Sequence, residues 1–508
     1  MSDNTSNSKR IVKNTMMLYA RMIVVTLVGL YTSRVVLQAL GVEDYGLYNV
    51  VGGVVSLFAF LRTSMEKCTQ RFLNVEMAKP EGNLSITFSV AVTIHIVLAA
   101  IALILLETLG LWFLNTYIQI PTGRELAANW VFQSVVCGLV FTILSIPYSA
   151  SIIAHEKMGI FAIISVIDCF LKLGAAVLIL KSNGDHLIYY GILMLFIHFL
   201  DFFFYYGYCK KLFKKIKFIL VRDLYLYKEM LSYTTWALVG HAMILGTNQG
   251  NSILVNMFHG VTANAAMAVA NQVNSHVLQL AGNFQTAFNP QITKSYANGD
   301  HDYLKTLVFS TSKISFYLLT IVSLPIMFNI DSILEVWLKE VPQLSGYFCI
   351  LMLVSGIIQS MSAPLNFTVM ASGQIKWFQI VTGLVFISDL FILYALFGLG
   401  YPPITVMYVK ISIMIATVFV RLYFAHRIIP SISLNEFVTK VLVPMLFSTV
   451  LNVGFGLIVT DHSKPWQIRC ISAIIIVAFS CVTTLLVGFD KKEKQMIKKI
   501  IVSKTKKK

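Results

Sequence analysis

Residues 33–53 read SRVVLQALGVEDYGLYNVVGG, a short acidic turn with Gly41, Glu43, Asp44 and Gly46 set between two apolar segments that can each cross a bilayer. The recurrence of this turn decides the fold. With Gly41-Val42 placed on Gly260-Val261, a long apolar stretch precedes the pair in both places and another follows. In the same register Gln70-Arg71 falls on Asn289-Pro290, and Ala78-Lys79-Pro80-Glu81 on Ala297-Asn298-Gly299-Asp300. The chain thus carries an internal repeat about half its length, weak in identity but constant in register.

Composition sets the class. Of 508 residues, 57% are hydrophobic and 13% charged, with a mean hydropathy of +0.74, too apolar for a soluble protein and typical of a polytopic membrane protein. The apolar runs lack period-two alternation, which excludes barrel strands, and a backbone in lipid must satisfy its own hydrogen bonds, so the runs are helices. A formal charge of +16 would point to nucleic acid in a soluble protein, but here the basic residues fall in short loops and in the tail, where they report topology. No nucleic-acid partner is expected. The seven cysteines are scattered through apolar runs without paired or CxxC spacing and read as small apolar residues. The N-terminal MSDNTSNSKRIVKNT leads into a run too long for a signal-peptide core, so it is expected to stay attached as the first spanning helix.

Spanning helices are expected near residues 13–38, 45–64, 84–106, 127–150, 158–180, 186–208, 232–256, 262–288, 306–329, 344–371, 377–399, 402–426, 438–460 and 467–489, about fourteen in all. Loops on the side of the N-terminus then hold Lys9, Arg10 and Lys13; Arg62, Lys67, Arg71 and Lys79; Lys157; the run from Lys210 to Lys228; Lys294 and Lys305; Lys376; Arg421, Arg427 and Lys440; and the tail. The opposite loops hold only Arg124, Lys181, Lys339, Lys464 and Arg469. This asymmetry places both termini in the cytoplasm. The expected architecture is all-α: a six-helix bundle over 1–209, a basic cytoplasmic linker over 210–230, a second six-helix bundle over 231–430, helices 13 and 14 over 431–490, and a basic tail over 491–508. The tail reads either as a positive-inside anchor or as a segment that binds anionic headgroups.

Function must come from polar groups that spanning helices carry despite their cost, roughly 2.5 to 3.5 kcal/mol for a central charge. Five cations remain after the loops are counted: Arg21, Arg34, Lys172, Lys313 and Lys410. The acidic groups at depth are Asp168, Asp201 and Asp389, with Glu66 at the inner end of the second helix. Asp168 and Lys172 lie four apart and share a face, either as a neutralised structural pair or as a pair that a substrate or proton opens. Arg21 can snorkel or face a cavity, and Arg34, Lys313 and Lys410 are interface anchors singly and a cationic lumen if they face inward together. The eighth helix is rich in amides. Gln272, His276, Gln279 and Asn283 recur at helical spacing on one stripe, and the seventh adds His241, Asn248, Gln249 and Asn251. Such a stripe either joins helices or lines an aqueous path that donates to sugar hydroxyls and phosphates. His95 and His198 read as packing residues, and Asp168, Asp389 and Glu66 are the candidates for ion coupling.

No GxxxxGK[ST], HExxH, paired CxxC or GxSxG occurs, so no catalytic residue, metal site or cofactor is expected, and the loops are too short for a catalytic domain. The run from Lys13 through SRVVLQALGVEDYGLYNVVGG to TQRFLNVEMAK, and FNPQITKSYANGD in the second half, resemble the Wzx-type polysaccharide (O-antigen and capsule) flippases of the multidrug/oligosaccharidyl-lipid/polysaccharide (MOP) exporter superfamily. That resemblance implies two six-helix bundles around a V-shaped cavity in the bacterial inner membrane, alternating access, and undecaprenyl-diphosphate-linked oligosaccharide as substrate. It also implies membrane lipids, a polysaccharide polymerase and glycosyltransferases of the same pathway as partners. Ion or proton coupling is expected because no ATP-binding motif exists. On this reading Arg21, Arg34, Lys172, Lys313, Lys410, Asn248, Asn251, Gln272, His276 and Gln279 bind substrate. The alternatives are a cation-coupled small-molecule exporter of the MATE type, which calls for an acidic cavity, and a scaffold that transports nothing.

Overall fold

The computed structural model describes residues 2–56, 59–80, 82–117, 120–212, 218–219, 221–338, 341–461, 466–490 and 493–494. Lys214, Lys215 and Lys217 of the basic linker, Lys339, Lys464 and nearly all of the basic tail lie outside the described residues. The first half holds α1 (Ser2–Ser56), α2 (Ala59–Ala78), α3 (Leu84–Leu105), α4 (Leu111–Tyr117), α5 (Glu125–Ala154), α6 (Met158–Leu180) and α7 (His186–Leu212). The second holds α8 (Leu224–Ala297), α9 (His301–Phe328), α10 (Ile330–Trp337), α11 (Ser345–Ser372), α12 (Lys376–Gly398) and α13 (Thr405–Ile428), followed by α14 (Leu434–Phe437), α15 (Val443–Val459) and α16 (Trp466–Thr483). Single π-helical turns join α3 to α4 and α14 to α15 and extend α16.

Eleven of the described helical stretches are long and apolar enough to cross a membrane. The second arm of α1 with α2, and the two arms of α8, occupy the places of the three further spans expected from the sequence but are less apolar than those eleven. Both arm pairs bend at a glycine. Gly41 has φ 75° and ψ 173°, and Gly260 has φ 79° and ψ −175°, a region that essentially only glycine occupies. The helices leaving the two kinks end at Ala78 and Ala297, the very residues the repeat superposes. Each is followed by a helix whose N-terminal amides are capped by a side chain: Asn83 accepts from the Ile86 amide at 3.3 Å, and Asp300 from that of Tyr303 at 3.1 Å.

The chain divides into two compact units, Lys13–Leu238 and Val239–Lys508 together with Met1–Val12. In the first, an apolar core closes over the Gly41 kink, with Val36, Leu47 and Val51 packed on Phe132, Ile179 and Leu187. In the second, Val255, Ala263 and Met267 beside Gly260 pack on Phe348, Phe397 and Met407. The two cores draw on the same places in the repeat, the starts and ends of helices that follow each kink. In a bilayer, close van der Waals packing of such side chains, rather than their removal from water, holds each kink.

Candidate functional site

In the unit 13–238, a partly open cavity of about 170 Å³ is lined by charged side chains from four helices. Arg21 enters from α1, Arg62 from α2, Asp168 and Lys172 from α6, and His198 and Asp201 from α7. Lys172 donates to Asp168 at 2.9 Å, as the four-residue spacing requires. Arg21 donates to the Ser165 hydroxyl at 3.4 Å and stacks over the Phe161 ring at 5.0 Å. One oxygen each of Asp168 and Asp201 is buried with no hydrogen-bond partner. Three cations thus face two carboxylates, Asp168 and Asp201, which lie close enough to act on each other. Charges gathered inside a spanning bundle are costly to bury, which makes this cluster the candidate site of the first unit.

Two members of the cluster depart from the sequence-based expectation. Arg62 was counted in a loop beside the membrane, and His198 as a packing residue; both line the cavity. His198 reaches it because α5 carries Gly138 opposite, where a Cβ would come within 2.8 Å of the imidazole. The spacing of Arg62 and Glu66, one turn apart on α2, was the available signal. Glu66 accepts from the Ser149 hydroxyl at 2.8 Å, which ties α2 to α5 near the cluster. His95 is 3% exposed, with its Nδ1 2.7 Å from the Ala91 carbonyl oxygen and its Nε2 buried without a partner.

In the second unit the structure gathers a smaller polar group. Asn251 donates to Asp389 at 2.8 Å, and Lys410 to Asn248 at 3.4 Å. Asp389 is 2% exposed, its other oxygen is unpartnered, and Lys410 is close enough to act on its charge. Gln272, His276 and Gln279 stand exposed along the middle of α8, with Asn283 buried at the end of the stripe. Lys313 is elsewhere. It is 3% exposed and donates to Glu493 at 2.9 Å, a partner that also accepts from Ser310 at 3.1 Å. Arg34 is exposed and carries no ion pair among the described residues. Arg421, counted in a loop from the sequence, is buried and donates to Ser362 at 2.6 Å.

At the Gly41 kink, Arg124 forks between two carboxylates of the same unit, Asp44 on α1 and Asp185 before α7. It reaches Asp185 at 2.6 Å. Burial pushes the Asp185 carboxyl up, but the hydrogen bonds from Arg124 and from the Ile188 and Leu187 amides outweigh it and hold the group below the ordinary carboxylate range. The acidic turn is thereby fastened to two loops.

No protein-family model matches the chain, and no curated protein matches it. Solved structures do. An outward-facing MATE family transporter of the MOP superfamily superposes with a TM-score of 0.69 at 14% identity, covering 84% of this chain and 97% of that one. The chain has the MATE-transporter fold. The Vibrio cholerae MATE transporter VcmN in its bent form gives 0.71 at 13% identity over 85% of this chain and 99% of its own. A MOP superfamily transporter from Pyrococcus furiosus, for which a reverse polarity of the binding pocket suggests a different function, gives 0.68 at 14% identity over 84% and 96%. The MATE-like fold thus covers the repeat and most of both units, while identities this low leave the substrate to the chemistry of the sites.

Proposed function

We propose that this protein is a flippase that moves a lipid-linked oligosaccharide, an undecaprenyl-diphosphate-bound repeat unit, across the bacterial inner membrane by alternating access. The observation that carries the reading is the cavity in which Arg21, Arg62 and Lys172 outnumber Asp168 and Asp201. A diphosphate is anionic and is recognised best by arginine and lysine in a place where water screens poorly. The exposed amides Gln272 and Gln279 and the Asn248–Lys410 pair offer donors and acceptors to sugar hydroxyls. The reversed pocket polarity of the Pyrococcus furiosus transporter is a precedent for this fold departing from a common charge pattern. Coupling falls to the carboxylates, Asp168 and Asp201 in one unit and Asp389 in the other.

A cation-coupled MATE-type exporter is the second reading, favoured by the partnerless oxygen of the buried Asp389 carboxylate. Proteoliposomes separate the two. The flippase reading expects protein-dependent translocation of a fluorescent undecaprenyl-diphosphate oligosaccharide, lost with Arg62→Ala and Lys172→Ala together. Uptake of cationic dyes with no movement of the lipid-linked sugar would establish the exporter instead.

A further inference from the structure

The last span ends against α9. After the π-helical turn that extends α16, Phe489 is extended, with φ −112° and ψ 142°, so the helix stops there. Tyr317 of α9 fastens the stop: its hydroxyl donates to the Gly488 carbonyl at 3.4 Å, and its ring meets that of Phe489 edge-on at 5.4 Å.

A new helical turn begins at once. The Asp490 carboxylate accepts from the Glu493 amide at 2.8 Å, and the Glu493 carboxylate accepts from the Asp490 amide at 2.9 Å, the reciprocal pair that opens a helix. The Lys494 amide then donates to the Asp490 carbonyl at 2.9 Å. Glu493 is turned toward α9, where it accepts from Lys313 at 2.9 Å and from Ser310 at 3.1 Å. Ser310, Lys313 and Tyr317 recur at i, i+3 and i+7, so one face of α9 holds this end of the chain.

Residues 495–508 lie outside the described residues, but their sequence continues the pattern of the turn. Met496, Ile497, Ile500 and Ile501 stand at i+3, i+4, i+7 and i+8 from Glu493, the spacing of one helical face. That spacing predicts that they share the side of Glu493, toward the spans, while Lys491, Lys492, Lys498 and Lys499 fall outside it. Residues 491–508 hold nine lysines and one acidic residue, and that residue, Glu493, is already paired with Lys313. A basic segment with one apolar face, starting where a span ends, has the composition of a helix lying in the plane of a bilayer surface.

We infer that the segment from Lys491 to Lys508 binds an anionic phospholipid surface, its lysines on headgroup phosphates and its isoleucines at the edge of the hydrocarbon. The contacts with α9 fix the place, because they hold the first turn beside the span and the surface it meets is the one bordering the protein. Lysine suits this partner: it acts as a point charge at the end of a stem that lies along apolar surface. Topology alone calls for positive charge near a span, but it does not call for four large apolar side chains recurring on one helical face.

Hydrogen–deuterium exchange of the full-length protein in nanodiscs tests the inference, comparing discs of palmitoyl-oleoyl phosphatidylcholine with discs in which about 30% of the lipid is phosphatidylglycerol of the same chains. Amides of residues 495–501 should exchange about tenfold more slowly in the anionic discs, and salt at about 0.5 M should remove most of the difference. Lys498→Gln with Lys499→Gln, and separately Ile497→Ser with Ile501→Ser, should abolish the protection while exchange in the spans stays unchanged. Equal exchange in the two discs, or protection that survives both double variants, overturns the proposal. Equally slow exchange would place the apolar face on the protein, and equally fast exchange would leave the lysines as a topology signal. No residue of the charged cavity or of the Asp389 group takes part, so either failure leaves the flippase reading intact.

Discussion

Gly41 and Gly260 hold the same backbone conformation, φ 75° with ψ 173° and φ 79° with ψ −175°, at equivalent places in the two halves of the chain. A Cβ at either position meets no atom within 4 Å. The requirement for glycine at both kinks is therefore one of backbone torsion, not of space.

Gly41→Ala and Gly260→Ala should each destabilise the protein by about 1 to 3 kcal/mol, the cost of holding an L-residue in that region. Thermal unfolding of the purified variants measures it. Unchanged midpoints would mean that the helices straighten through the turn at no cost.

Arg124 and Asp185 set a dependence on pH. The folded carboxyl of Asp185 lies below its ordinary value of 3.8, so its contribution is complete at neutral pH and is lost as the pH falls through 3.8 and below. The side chain is 31% exposed, so solvent screening limits the effect to on the order of 1 kcal/mol. Melting curves of the wild type and Asp185→Asn should differ at pH 7 and converge below pH 3.8. Curves that stay parallel to acid pH would remove the pair from the stability of the turn.

Lys172 and Asp168 distinguish a site from a neutral pair. If Lys172 meets a diphosphate, Lys172→Met should lower translocation of the lipid-linked oligosaccharide about tenfold, and Asp168→Asn added to it should not restore activity. Full recovery in the double variant, with membrane abundance equal to the wild type, would assign the two residues to structure.

Lys313 answers to a different test. Its side chain and that of Glu493 are 4% and 13% exposed, so Glu493→Gln strands a buried ammonium and should cost about 3 to 5 kcal/mol. Lys313→Met should cost much less and leave translocation in proteoliposomes unchanged. A loss of translocation in Lys313→Met at normal stability would return this lysine to the substrate path.

The sequence by itself marked most of the spans and the repeat, and it expected a turn where the structure has a single-residue kink at Gly41 and at Gly260. A bilayer imposes a one-dimensional rule, so runs of apolar residues declare themselves, and the register linking Gly41 to Gly260 also superposes the helix ends at Ala78 and Ala297. Pairs within one helix were legible for the same reason, as Asp168 and Lys172 show at 2.9 Å. What joins residues from different helices was decided only by tertiary structure. Hydropathy assigned Arg62 and Arg421 to loops because they stand near span ends, but the packing of α2 and of α13 on their neighbours carries one into a charged cavity and buries the other. Lys313 and Asp389 are alike in a sequence window, each a lone charge in an apolar run. Their partners, Glu493 and Asn251, lie on other helical segments, and burial in a low-dielectric interior makes the choice of partner the property that matters.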